Sequence, residues 1–224
     1  MTPESSSLRQ RMRTPRAAAV AGIAFSLLLM ASLFLIWASI PANPLEARPD
    51  LVKQSRRLSL ALDLLPFAGI AFLWFVGVLR DRMGELEDRF FATVFLGSAI
   101  LFLAMIFTGA AVAGGIVRVL IGEESGSLMA SPAYALARIQ IHQTMHAYAL
   151  KMAGVFMIST ATISLRTRIV PRWMAVLGYA LALVLLLLST GPARWIALGF
   201  PLWVLLISAY ILFDNLRGSS RAAP

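Results

Sequence analysis

From Ala17 to Ile40 the chain carries no charged side chain, and similar apolar runs, separated by short charged stretches, recur to the C-terminus. A hydrocarbon core about 30 Å thick is crossed by about 20 apolar residues of helix. That ruler marks six segments, at 17–40, 58–79, 90–121, 132–165, 171–188 and 193–213. The second is interrupted by Asp63 and Pro66, and the third is uncharged until Arg118. Ser131-Pro132 opens the fourth as an N-cap serine followed by a first-turn proline, and Ser189-Thr190-Gly191-Pro192 is the turn between the fifth and sixth. The pattern predicts an all-α polytopic transmembrane bundle of six helices over residues 17–214. A basic arm, 1–16, precedes it and a tail, 215–224, follows. The first segment is longer than the roughly 7–15 residues of a signal-peptide core and lacks a good A-x-A site, so it is expected to be a retained helix.

Composition agrees: 59% of residues are hydrophobic and 14% charged, with a mean hydropathy of +0.78, which excludes a soluble single-domain fold. Twenty Lys and Arg oppose 11 Asp and Glu, giving +9, and the only lysines are Lys53 and Lys151. These cations sit at the ends of apolar segments and no basic run is interleaved with aromatics, so nucleic acid is not expected as a partner. With the N-terminus inside, 12 of the 20 cations fall in inner loops, 7 in outer loops, and Lys151 lies within a segment. The positive-inside rule therefore places both termini in the cytoplasm. Trp37, Trp173 and Trp195 fall where an aromatic belt would lie. No Cys is present, which removes thiolate metal sites, iron–sulfur clusters and Cys nucleophiles.

Pro15-Arg16-Ala17 through Ala24 lines up with Pro171-Arg172-Trp173 through Ala180, either as an internal repeat or because helices entering at an inner interface share these residues. The stretch Leu62-Asp63-Leu64-Leu65-Pro66-Phe67 through Phe75 joins Arg80-Asp81-Arg82, Glu87-Asp88-Arg89-Phe90-Phe91, Pro171-Arg172-Trp173 and Leu177-Gly178 in a second likeness. Together these resemble a group of bacterial multi-pass membrane proteins that share a domain of unknown function. The resemblance implies a six-helix inner-membrane protein and brings no activity or site residues with it.

Polar groups at membrane depth are costly and mark contacts or pathways. Asp63 lies 17 residues from Arg80, about 25 Å, and Lys151 lies 15 residues from Arg166, about 22 Å. Similar depths suggest an Asp63–Lys151 ion pair; separate snorkelling to headgroups and a proton or ion carrier are the alternatives. The fourth segment carries Arg138, Gln140, His142, Gln143, Thr144, His146, Tyr148 and Lys151 in one half and Ser159, Thr160, Thr162 and Ser164 in the other. At 100° per residue Gln140, Thr144 and Lys151 share one stripe and the histidines another, so this helix is expected at the centre of the bundle or partly above the membrane. Arg118, Gln140, Gln143 and Tyr148 join Asp63 and Lys151 as ligand or ion-pair candidates.

His142 and His146, four residues apart, are the only histidines and could hold a divalent metal, with Glu123 or Glu124 as a further ligand. Interfacial or hydrogen-bonded histidines and proton handling are the other readings; H-E-x-x-H is absent, and apart from that metal no cofactor is expected. Small residues at Ala110/Gly114 and Ala111/Gly115 suggest close helix packing, and Pro66 with Gly69 a kink inside Asp63. Together these features outline an outward-facing polar pocket. The loop Arg80 to Arg89 is expected to form solvated salt bridges.

No G-x-S-x-G, Asp-rich or Ser/His/Asp arrangement points to an enzyme. The expected role is a structural or accessory component of the cell membrane. A small transporter or channel-like protein using the Asp/Lys/His cluster, and a metal-binding membrane protein, are alternatives. The expected partners are the lipid bilayer and a membrane protein or a second copy.

Overall fold

The computed structural model describes residues 3–39, 51–83, 89–121, 131–167, 170–189 and 194–221. Every element among them is helical: α1 (Pro3–Ser39), α2 (Leu51–Met83), α3 (Arg89–Ile121), α4 (Pro132–His142), a π-helical turn (Gln143–Tyr148), α5 (Ala149–Thr167), α6 (Arg172–Leu188), a 3-10 turn (Arg194–Leu198) and α7 (Gly199–Arg221). The all-α bundle expected from the apolar runs is what forms. α4, the π turn and α5 follow one another without a break, so the fourth segment is one interrupted rod.

Ala17–Ile36, Ser55–Arg80, Ala92–Val119, Pro132–Arg166 and Trp195–Asn215 are each long and apolar enough to cross a membrane. The chain is thus a multi-pass membrane protein by length and composition. α6 has 17 residues, about 25 Å, and lies at the lower limit for a span. The helices extend past the apolar segments: α1 begins at Pro3 and α7 continues to Arg221, so helix occupies most of the expected arm and part of the tail. Pro15 is therefore inside α1, whereas Pro171, with φ −57° and ψ 146°, caps α6. The two stretches that align in sequence do not occupy equivalent structural positions.

Neighbours in sequence pack as neighbours in space, and α1 packs on α7 to close a ring running α1, α2, α3, rod, α6, α7. The core of that ring is aromatic. The Phe72 ring lies 4.6 Å from Phe25, 5.4 Å from Phe102, 5.2 Å from Phe156 and 5.8 Å from Phe200, joining α1, α2, α3, α5 and α7. All five rings are buried, so the axis of the bundle is filled by side chains at this level.

Helix register is fixed by a few close approaches. A Cβ on Gly69 would meet the Phe107 ring, and Leu62 Cδ1 lies opposite Gly114, so α2 and α3 run antiparallel with residue 62 level with 114. A Cβ on Gly109 would stand 2.5 Å from Met145 Cγ and 2.9 Å from Thr144 Oγ1, which levels 109 with 144–145 of the rod. Gly115 has open space around it and Gly114 only an ordinary contact at 3.9 Å. The close approach of α3 is thus made at Gly109, not along the Ala110/Gly114 and Ala111/Gly115 stripes. α2 continues through Pro66 as a single helix.

Candidate functional site

The N-terminus of α4 forms as its sequence predicts: Ser131, in an extended conformation, accepts the Tyr134 N–H on its Oγ at 3.3 Å, and Pro132 occupies the first turn. Beyond it, the polar stretch departs from the expected picture. α4 packs on α3 and contains no buried residue. Gln140, His142, Gln143 and Tyr148 are exposed, and Arg118 is exposed in the last turn of α3. The first helix of the rod therefore lies at the periphery of the bundle with Arg138, Gln140 and His142 exposed, as is Gln143 just beyond it, whereas Thr144, His146 and Lys151 further on are half-buried.

Asp63 and Lys151 do not form an ion pair among the described residues. The physical reason is register. Carried from α2 through α3, Asp63 is level with residue 113 and then with about residue 140 of the rod, some ten residues, or about 15 Å, from Lys151. Counting from the nearest arginine fails because the helices extend past their apolar segments by different lengths. Asp63 is exposed on a stripe with Leu60, Phe67, Ile70 and Trp74. Through the Phe25–Phe72 ring contact it is level with about residue 34 of α1, close to the end of the apolar window at Ile36. That edge position suits a carboxylate reaching headgroups. Lys151 is half-buried and level with about Leu103, near the middle of the apolar window of α3, Ala92–Val119.

The π turn is the feature that sequence reading missed. Thr144 Oγ1 donates to the Gln140 carbonyl at 2.9 Å and approaches the Ile141 carbonyl at 3.2 Å, a side-chain competitor for backbone acceptors where the helix widens. Hydropathy carries no signal for it. Its sequence trace is the density of Gln, His and Thr over 140–146. Along the expected stripe, Gln140 is exposed while Thr144 and Lys151 are half-buried, and the π turn, which advances each residue by less than 100°, lies between Gln140 and Lys151.

His142 and His146 share a face as expected. Their rings stack, centroids 5.0 Å apart and planes within 3° of parallel. His142 is exposed, whereas the Nδ1 atom of His146 is buried. Imidazole lone pairs lie in the ring plane, so two rings stacked face to face present them in parallel directions. Placing both nitrogens on one ion requires rotation of at least one ring. No group of three or more His, Cys, Asp or Glu occurs among the described residues. Glu123 and Glu124 lie outside them, as does the loop at 84–88.

The other half of the rod uses its hydroxyls internally. Ser159 donates to the Val155 carbonyl, Thr160 to Phe156 and Thr162 to Ile158 at 2.8–3.0 Å, and Thr162 also meets Tyr179 Oη at 2.7 Å across to α6. Of these contacts, the Thr162–Tyr179 hydrogen bond ties α5 to α6, and the others close onto the rod's own backbone. No family model, curated protein or solved structure matches this chain.

Proposed function

We propose that the protein is a structural or accessory component of a bacterial inner membrane, a helical scaffold whose α4 and π-turn face meets another membrane protein. The observation that carries this reading is that α4, with Gln140 and His142 exposed, has no buried residue, and Gln143 just beyond it is exposed as well. Gln140 is level with about residue 113–114 of α3, still within that helix's apolar window. Exposed side-chain amides on that face, level with Asp63 near the edge of the apolar zone, favour helix–helix association through hydrogen bonds to a neighbouring helix. The Phe25–Phe72–Phe102–Phe156–Phe200 cluster favours a scaffold over a conduit, since it fills the axis that a pore would use.

The test is site-directed photocrosslinking in native membranes, with the photoreactive residue at Leu136 on α4 or at Leu183 on α6. The reading expects one protein adduct of defined mass from Leu136 and lipid adducts from Leu183. Lipid adducts alone from both positions, with substrate-dependent flux in proteoliposomes, would favour the transporter reading. Half-buried Lys151 near mid-depth is the observation supporting that alternative.

A further inference from the structure

Three helices bring exposed arginines to one level at the end of the bundle where α2 and α4 begin and α3 finishes. Residue 62 stands opposite 114, so Arg56 and Arg57 of α2 are level with 119–120, one or two residues from Arg118. Residue 109 stands opposite 144–145, so Arg118 is level with 135–136, within a turn of Arg138. All four side chains are exposed. Among the described residues no carboxylate pairs with any of them; Asp63 lies seven residues, about 10 Å, further along α2 than Arg56 and is level with about residue 140, two residues from Arg138. The Arg138 guanidinium carbon stands 5.8 Å from the centre of the Tyr134 ring.

Exposed apolar side chains continue from the collar into the bundle along α2, beginning within a turn of Arg57 at Leu60 and followed by Phe67. A ligand matching both features carries a compact negative charge and, directly below it, aliphatic chains. Guanidinium groups bind phosphate oxygens in bidentate fashion. We propose that Arg56, Arg57, Arg118 and Arg138 form a collar that binds the phosphates of anionic phospholipids, with the acyl chains lying along Leu60 and Phe67 of α2. The charge complementarity and the apolar strip beneath it carry this assignment, independently of the partner-protein reading above.

The experiment measures association of spin-labelled phosphatidylglycerol relative to spin-labelled phosphatidylcholine with the full chain in phosphatidylcholine vesicles. The wild-type protein is expected to prefer phosphatidylglycerol by about fivefold or more, a preference weakened by 0.5 M NaCl. Replacing all four arginines by glutamine is expected to remove most of that preference. The control R80Q/R172Q/R217Q, at exposed positions on the opposite end of the bundle, is expected to retain more of it than the collar variant does. Each single arginine-to-glutamine variant is read alongside, so the test survives if the quadruple variant does not fold. Undiminished preference in the collar variants, or a preference abolished only by the control, overturns the proposal. Displacement of the labelled lipid by millimolar inorganic phosphate also overturns it, in favour of a soluble anion.

Discussion

Gly178 of α6 lies under the indole of Trp203 of α7, where a Cβ would stand 2.8–2.9 Å from three atoms of the ring. The same indole, fully buried, donates its Nε1–H to the Met174 carbonyl at 3.2 Å, one turn earlier on α6. The missing side chain and the hydrogen bond are two halves of one contact, since the ring can reach the carbonyl only by passing over a glycine. Gly178→Ala is therefore expected to lower stability by about 1–3 kcal/mol through overpacking against a ring that cannot move aside. Trp203→Phe loses the donor and leaves part of the indole's volume empty, and should cost about 1 kcal/mol or more. Thermal melts in one detergent read both, and an unchanged midpoint for Gly178→Ala would sink the account.

The contrast between Gly109 and Gly115 gives a second measurement. Alanine at Gly109 must displace Met145 and Thr144, whereas at exposed Gly115 it meets nothing within 4 Å. Gly115→Ala is expected to be neutral or to stabilise α3 by about 0.5–1 kcal/mol, because alanine loses less backbone freedom in a helix. Gly109→Ala is expected to destabilise and to disturb the π turn. Its effect should be relieved by Met145→Ala, which vacates the nearest side-chain atoms. Stability of the three variants and the double variant, read by denaturant titration, checks the pattern; equal behaviour of the two glycine variants contradicts it.

These glycines show which parts of the fold the sequence disclosed. Six helical segments were legible because about 20 uncharged residues in a row have few other physical outcomes. The N-cap at Ser131 was legible because its chemistry is local. Register was not: Gly109 and Gly115 look alike in a sequence, and only their neighbours on the facing helices distinguish a close approach from open space. The Asp63–Lys151 pair failed for the same reason, because depth counted along each helix separately ignores how the helices slide past one another. Of the candidate site, the facing of His142 and His146 was readable from their spacing. The π turn and the outward placement of α4 depend on how the rod meets α3, which no single helix encodes.

The phenylalanine cluster also escaped sequence reading, since in hydropathy Phe72 is one apolar residue among many. Its ring is fully buried and approaches rings from four other helices, so truncation should leave a cavity that the bundle cannot collapse around. Phe72→Ala is expected to cost about 3–5 kcal/mol, whereas Phe67→Ala, exposed on the same helix, should fall within about 0.5 kcal/mol of wild type. Urea- or SDS-driven unfolding monitored by circular dichroism measures the difference. Comparable losses at the two positions would show that Phe72 does not occupy the centre.

Asp63 and Lys151 provide the last prediction, because two accounts of them give opposite signs. As partners in an ion pair, either substitution alone would strand an intramembrane charge, and the double variant would recover stability. Separated by about 15 Å along the bundle, they should act independently, so a cycle built from Asp63→Asn and Lys151→Met is expected to show a coupling below about 0.5 kcal/mol. The single effects should also differ. Asp63, exposed near the edge of the apolar window, already reaches polar surroundings and its replacement should change little. Lys151 is half-buried near the middle of that window, where a cation costs a few kcal/mol by insertion scales. A methionine of similar length fills the same space without that cost, so Lys151→Met should raise the unfolding midpoint. A loss of more than about 1 kcal/mol instead would mean that the ammonium group holds a stabilising contact, and would place Lys151 at the centre of a functional site.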